Sequence, residues 1–169
     1  MELTEKQKGR IKGKICPYCG YPTNFVNSKE IYKVDYGMIY LCKPCDAYVG
    51  CHKGTANALG RLANKELREY KKEAHKYFDI LWKDCGLKRK EAYTRLSEYL
   101  KIPIYYTHIG MFSVDTCKRV IEWSKIIIKD HLKDNLDEFD VVSVFKLKNN
   151  KINPRDKKEF SKFCKEISI

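Results

Sequence analysis

The spacing of apolar residues changes twice along the chain, and each change marks a different kind of element. Before Ile15 the sequence is polar and basic with no apolar period, which reads as a flexible basic arm over residues 1–14. From residue 15 to 50 the apolar runs are short and rich in β-branched and aromatic side chains. Glu30-Ile31-Tyr32-Lys33-Val34 and Met38-Ile39-Tyr40-Leu41-Cys42 flank Asp35-Tyr36-Gly37. That pattern predicts a hairpin whose three-residue loop uses glycine where φ must be positive.

From Asn64 the period lengthens. Leu67, Tyr70, Ala74, Tyr77, Phe78 and Leu81 recur every three or four residues, one face of a helix that runs to about Cys85 with Asn64 as its N-cap. The opposite face carries Lys65, Arg68, Lys72, Lys76 and Lys83. Gly86 marks a break, and a second helix follows over about residues 89–101, burying Ala92, Leu96 and either Tyr99 or Leu100 and stopped by Pro103. Residues 104–112 read as a loop or short extended piece. Ser113 then caps a third helix, with Asp115 in its first turn and Val114, Cys117, Val120, Ile121 and Ser124 along its inner face. After Lys129 an acidic connector leads to Val141-Val142-Ser143-Val144-Phe145, a strand, and to a terminal helix over residues 156–167. The expected architecture is α+β: a small β-ribbon over 15–50, a three-helix segment over 51–129, and a strand–helix extension over 130–169.

The ribbon is read from its cysteines. Cys16-Pro17-Tyr18-Cys19 and Cys42-Lys43-Pro44-Cys45 are two C-x₂-C pairs separated by 22 residues. Two such pairs at hairpin separation are the ligand set of a tetrahedral Cys₄ zinc site, against the alternative of two disulfides or scattered buried thiols. Gly20 and Asp46 follow the two pairs, and both tolerate the left-handed backbone that a metal knuckle needs. The zinc is expected to be structural, because four thiolates leave no open position. Cys51, Cys85, Cys117 and Cys164 stand far apart and read as intracellular thiols.

Charge and flanks narrow the setting. The N-terminal residues lack the apolar core of a leader, and no run approaches the ~18 residues of a membrane span, so a cytoplasmic protein is expected. Lys+Arg number 34 against 22 Asp+Glu, a formal net charge of +12, which favours polyanionic partners, nucleic acid first. Lysine-rich composition alone would give the same figure. Residues 125–169 hold 11 basic and 8 acidic residues, so +9 of the +12 lies in residues 1–124, with the metal site. Lys43, Lys53, Lys65, Arg68, Lys72 and Lys76 are the candidate phosphate contacts, although Glu66, Glu69 and Glu73 flank the helical stripe. Tyr18, Tyr21, Tyr32, Tyr36 and Tyr40 are candidates for stacking bases, or simply for the ribbon's core.

Other polar residues admit two readings. Cys51 and His52 lie just past the second pair and are alternative metal ligands. The loop from Gly50 to Thr55 is a phosphate-contacting turn or merely a tight link to the helix. His75 and Asp79, four apart, share a helix face and with His52 and His108 compose a candidate nuclease cluster; a helix-surface pair is the plainer account. The segment between the cysteine pairs has no histidine of the kind zinc-scaffolded His-Asn-His nucleases carry, and the Gly37-Met38-Ile39-Tyr40 echo of GIY-YIG nucleases falls on residues already used by the ribbon.

Several blocks in one order resemble a known family. They are Cys16-Pro17-Tyr18-Cys19-Gly20; Cys42-x₂-Cys45 running into residues 48–55; Leu59-Gly60-Arg61-Leu62-Ala63; Ala74-His75 with residues 78–82; Ala92-Tyr93; His108-Ile109-Gly110-Met111-Phe112; and Cys117. Together they resemble the zinc-finger-containing domain of unknown function found in bacteria and their phages. The resemblance implies a zinc site and a phage or prophage source and supplies no activity. The function expected from the residues is a zinc-stabilised, non-catalytic nucleic-acid-binding accessory protein. The alternatives are a protein-binding inhibitor or modulator of a host factor, and a metal-dependent nuclease. Oligomeric state is left open.

Overall fold

Short polar side chains, rather than long apolar runs, set the course of the N-terminal part. The computed structural model describes residues 5–135. Its contacts divide the chain into two compact units, Met1–Glu122 and Trp123–Ile169.

The expected loose arm is in its described part a helix, α1 (Glu5–Ile11), with a Glu5–Lys8 ion pair of 2.8 Å. Gly13 ends it at φ +77°, and Thr23 then ties the chain down: its Oγ1 donates to the Gly13 carbonyl at 2.6 Å and its N–H to the Lys14 carbonyl at 3.0 Å. The arm was invisible as structure because α1 has no apolar period of its own.

Three strands form one antiparallel sheet in the order β1 (Asn24–Asn27), β2 (Met38–Cys42), β3 (Ala47–Gly50). The partner of β2 is therefore residues 24–27, not the expected 30–34. Side-chain hydrogen bonds explain the difference. Asn27 accepts from the Lys29 N–H at 2.9 Å and starts a 3₁₀ turn over Ser28–Glu30. The Ser28 hydroxyl accepts from the Tyr36 N–H at 2.7 Å, and the Asp35 carboxylate accepts from the Gly37 N–H at 2.8 Å and the Asn27 side-chain amide at 3.0 Å. These groups outcompete a ladder and hold residues 28–37 as a long loop.

The helical part follows its apolar period. Asn64 caps α2 (Lys65–Lys83), accepting from the Leu67 N–H at 3.0 Å, and Leu67, Ala74, Phe78 and Leu81 are buried. In α3 (Arg89–Leu100), Ala92, Leu96 and Leu100 are buried, and the Phe78 and Tyr93 rings join the two helices at 4.7 Å. Lys101, at φ +55°, ends α3 before Pro103 is reached. Two 3₁₀ turns, Ile104–Tyr106 and Ile109–Met111, lead to α4 (Val114–Asn135), where Ser113 accepts from the Thr116 N–H at 3.3 Å. Cys117, Val120 and Ile121 are buried; from Trp123 on, α4 belongs to the second unit. The acidic connector expected from residue 130 is helical as far as Asn135, and the expected strand and terminal helix lie outside the described residues.

Two separated segments cross at glycines. A Cβ on Gly60 would collide with the Gly110 carbonyl, so position 60 needs a bare backbone, while a Cβ on Gly110 would sit tightly against the Leu59 carbonyl at 3.2 Å. That carbonyl accepts from the Arg61 N–H at 2.8 Å and from the Lys71 ammonium at 2.6 Å, which also reaches the Arg61 carbonyl at 2.9 Å. Burial lowers the Lys71 amine to about 8.

Candidate metal centre

Each cysteine pair closes a tight turn. After the first, the Gly20 N–H donates to the Cys16 carbonyl at 2.9 Å with Gly20 at φ +79°. After the second, the Asp46 N–H donates to the Lys43 carbonyl at 3.1 Å with Asp46 at φ +43°. These are the left-handed positions expected of the two residues, and they aim both pairs at one point.

The Sγ atoms of Cys16, Cys19, Cys42 and Cys45 all lie within 4.8 Å of one another, with Cys19 and Cys42 at 3.6 Å. A tetrahedral zinc with bonds of about 2.3 Å places its sulfurs roughly 3.8 Å apart, so the set fits that ion. A disulfide does not fit a 3.6 Å separation, and the described cysteines are free thiols. The Tyr21 N–H draws the Cys19 thiol down to about 7, whereas desolvation, with the neighbouring thiols adding to it, pushes Cys45 up to about 12. Crowded thiols resist ionising together, and a bound divalent cation reverses that by deprotonating its ligands outright. The donor set is closed and soft, suited to one structural zinc.

Both knuckles are fastened to the start of α2. Tyr18, inside the first pair, accepts from the Asn64 N–H at 3.1 Å and donates to the Leu62 carbonyl at 3.4 Å. Arg68 reaches the residue after the second pair, donating to the Asp46 carboxylate at 2.7 Å and carbonyl at 2.6 Å, and also to the Ala63 carbonyl at 2.9 Å. Its guanidinium lies 4.3 Å from the centre of the Tyr48 ring. Tyr48 and Ala63 exchange backbone hydrogen bonds at 3.0 and 3.1 Å. Nothing in the sequence singles Arg68 out from its lysine neighbours; only the fold gives it this task.

The remaining candidates are scattered. Lys43 pairs with Glu30 at 3.0 Å, and Lys76 lies 5.9 Å from the Tyr77 ring centre. Lys53, Lys65 and Lys72 are exposed and have no ion pair among the described residues. His52 is exposed in a turn closed by the Thr55 N–H on its carbonyl at 3.0 Å, and neither it nor Cys51 joins the thiol cluster. Asp79, half-buried on the helix surface, stands between His75 at 3.7 Å and Lys83 at 3.1 Å. His108 is exposed beside Tyr93. Among the described residues the four cysteines are the one group of His, Cys, Asp or Glu able to gather a metal. No described helix is long and apolar enough to cross a membrane.

A family described as a zinc-finger-containing domain matches residues 12–127, more than half of the chain. No curated protein and no solved structure shows a match.

Proposed function

The chain belongs to this zinc-finger-containing family, and from that premise we propose that it is a phage-encoded, non-catalytic accessory protein that binds nucleic acid. The observation that carries the proposal is the surface of the ribbon. Its three carboxylates over residues 12–63 are paired: Glu30 with Lys43, Asp35 with Lys29 at 4.0 Å and Asp46 with Arg68. Lys12, Lys14, Lys33 and Lys53 remain exposed with no ion pair among the described residues. Tyr21 and Tyr36, which alternate with these lysines in sequence, are each 72% exposed. Cationic side chains interleaved with open aromatic rings are what a nucleic acid offers partners for, phosphate on one side and base on the other. The zinc tetrathiolate itself carries a net charge of −2, so this surface is moderately cationic and suits reversible binding.

Lys14→Glu with Lys33→Glu and Lys53→Glu should weaken binding to every sequence and flatten the salt dependence, since each lost phosphate contact removes about 0.9 from the slope of log K against log salt. Anisotropy titrations at several salt concentrations measure both. Unchanged affinity and slope would remove nucleic acid from the account. In the same preparations no turnover of DNA or RNA with magnesium or manganese is expected. Cleavage lost in both His75→Ala and Asp79→Ala would establish the nuclease reading instead.

A second reading has its own support. The turn over Ile104–Tyr106 leaves Ile104 52%, Tyr105 78% and Tyr106 56% exposed. Such an apolar cluster suits a protein partner, as a modulator of a host factor would need.

A further inference from the structure

We infer that the cleft on one face of the zinc-ribbon sheet holds an unpaired nucleobase, which makes single-stranded nucleic acid the preferred ligand class. The inference rests on the proposed nucleic-acid binding and deepens it. Residues Ile39, Tyr48 and Gly50 of β2 and β3, with Tyr32, Tyr36 and Leu59, line an open cleft of about 390 Å³.

The walls are aromatic and fixed in place. The Tyr32 ring meets Tyr36 at 5.4 Å and Tyr48 at 5.8 Å, both edge-on at 87°. The Tyr48 ring is held by the Arg68 guanidinium, which is itself hydrogen-bonded to Asp46 and Ala63. Tyr36 is 72% exposed, yet the segment that carries it is pinned by Ser28 on its own N–H, by Asp35 on the next, and by the Ser28 N–H on the Gly37 carbonyl at 2.8 Å. A polar scaffold thus presents an aromatic ring to solvent in a preset position. A ligand then stacks on it without meeting the ordering cost of a mobile loop.

Polar chemistry in the cleft also matches a base. The Tyr32 and Tyr48 hydroxyls share one hydrogen bond of 2.8 Å. Tyr32 donates in it, so the Tyr48 hydrogen has no acceptor among the described residues and remains for a ligand oxygen or ring nitrogen. Lys33 lies between Tyr32 and Tyr36 in sequence, is exposed and has no ion pair among the described residues, which suits the phosphate attached to a stacked base. A duplex keeps its bases stacked on each other and cannot offer a face to these rings; a single strand can.

The test compares a labelled thymidine oligonucleotide, the same length of abasic strand and a duplex of equal length, at one salt concentration. The protein should bind the thymidine strand more tightly than the abasic strand or the duplex. Tyr36→Ala should weaken the thymidine strand roughly tenfold or more and leave the abasic strand and duplex unchanged, whereas Tyr36→Phe keeps wild-type binding. Equal zinc content in both variants verifies the fold. Wild-type binding by Tyr36→Ala, or an equal loss on all three ligands, overturns the base site while leaving charge-driven binding in place. No binding of any nucleic acid by the wild-type protein overturns the site and the proposed function together.

Discussion

The ribbon and the helices are held together by different means, although they belong to one compact unit. In the ribbon the buried cluster is Cys16, Tyr40, Cys42, Ala47 and Leu62, and two of those five belong to the four-cysteine set suited to zinc. Four residues of its connecting loop, Ile31, Tyr32, Val34 and Tyr36, are at least a third exposed. In the helical part Leu67, Phe78, Leu81, Leu96, Ile109 and Val120 are each at most 2% exposed. One region is closed by a coordination bond set and a web of side-chain-to-backbone hydrogen bonds, the other by ordinary burial of apolar surface. The ribbon can therefore leave Tyr21, Tyr32 and Tyr36 at its surface while Tyr40 alone of its tyrosines joins the buried cluster, because a metal site supplements its small apolar core. The joint between the two regions combines Leu62 in the ribbon's buried cluster and the Tyr48–Ala63 backbone pair with polar contacts from Tyr18, Asp46 and Arg68 to the chain that opens α2.

The largest effect should follow removal of one thiolate. Structural zinc sites in finger peptides are worth about 10–16 kcal/mol, more than a ribbon with this little apolar core can replace. Cys45→Ser should lose the metal and unfold the ribbon, with metal analysis and near-ultraviolet circular dichroism as the readouts. Stoichiometric zinc in that variant would dissolve the contrast at its root.

Next comes a cavity on the other side. Phe78→Ala should lower the stability by about 3–5 kcal/mol, measured by denaturant titration, while one zinc per chain is retained. Loss of zinc in this variant under native conditions would mean the two regions are not held by separate means.

The joint gives the smallest and sharpest test. Arg68→Ala removes hydrogen bonds to one carboxylate and two carbonyls and should cost about 1–3 kcal/mol. Its signature should be faster hydrogen exchange in the first turn of α2, with zinc content unchanged. Arg68→Lys should recover little of this, since a lysine has no planar fork to span Asp46 and Ala63 together. Exchange unchanged in Arg68→Ala would mean that the helix start is held by Asn64 and Tyr18 alone.

The clustering of the four cysteines, the two left-handed residues after them, the cap of α2 and the buried faces of the helices were legible in the sequence because each depends on local spacing. A C-x₂-C turn, a side-chain cap and a 3.6-residue period are set within a few neighbouring residues. The strand partner of β2 was not legible, since residues 30–34 have the better strand composition and lose to hydrogen bonds from Asn27, Ser28 and Asp35 that only the folded loop brings together. The helix over Glu5–Ile11 was missed for want of an apolar stripe. The tertiary structure alone decided which cation of the α2 stripe would leave it: Arg68 faces Asp46 across 22 positions of sequence, and no local rule ranks it above Lys65 or Lys72. It also decided that Tyr32, Tyr36 and Tyr48 line one cleft and that Gly60 meets Gly110. Sequence spacing fixes what near neighbours do to one another, while contacts between distant residues depend on a packing that is settled only when the whole domain has closed.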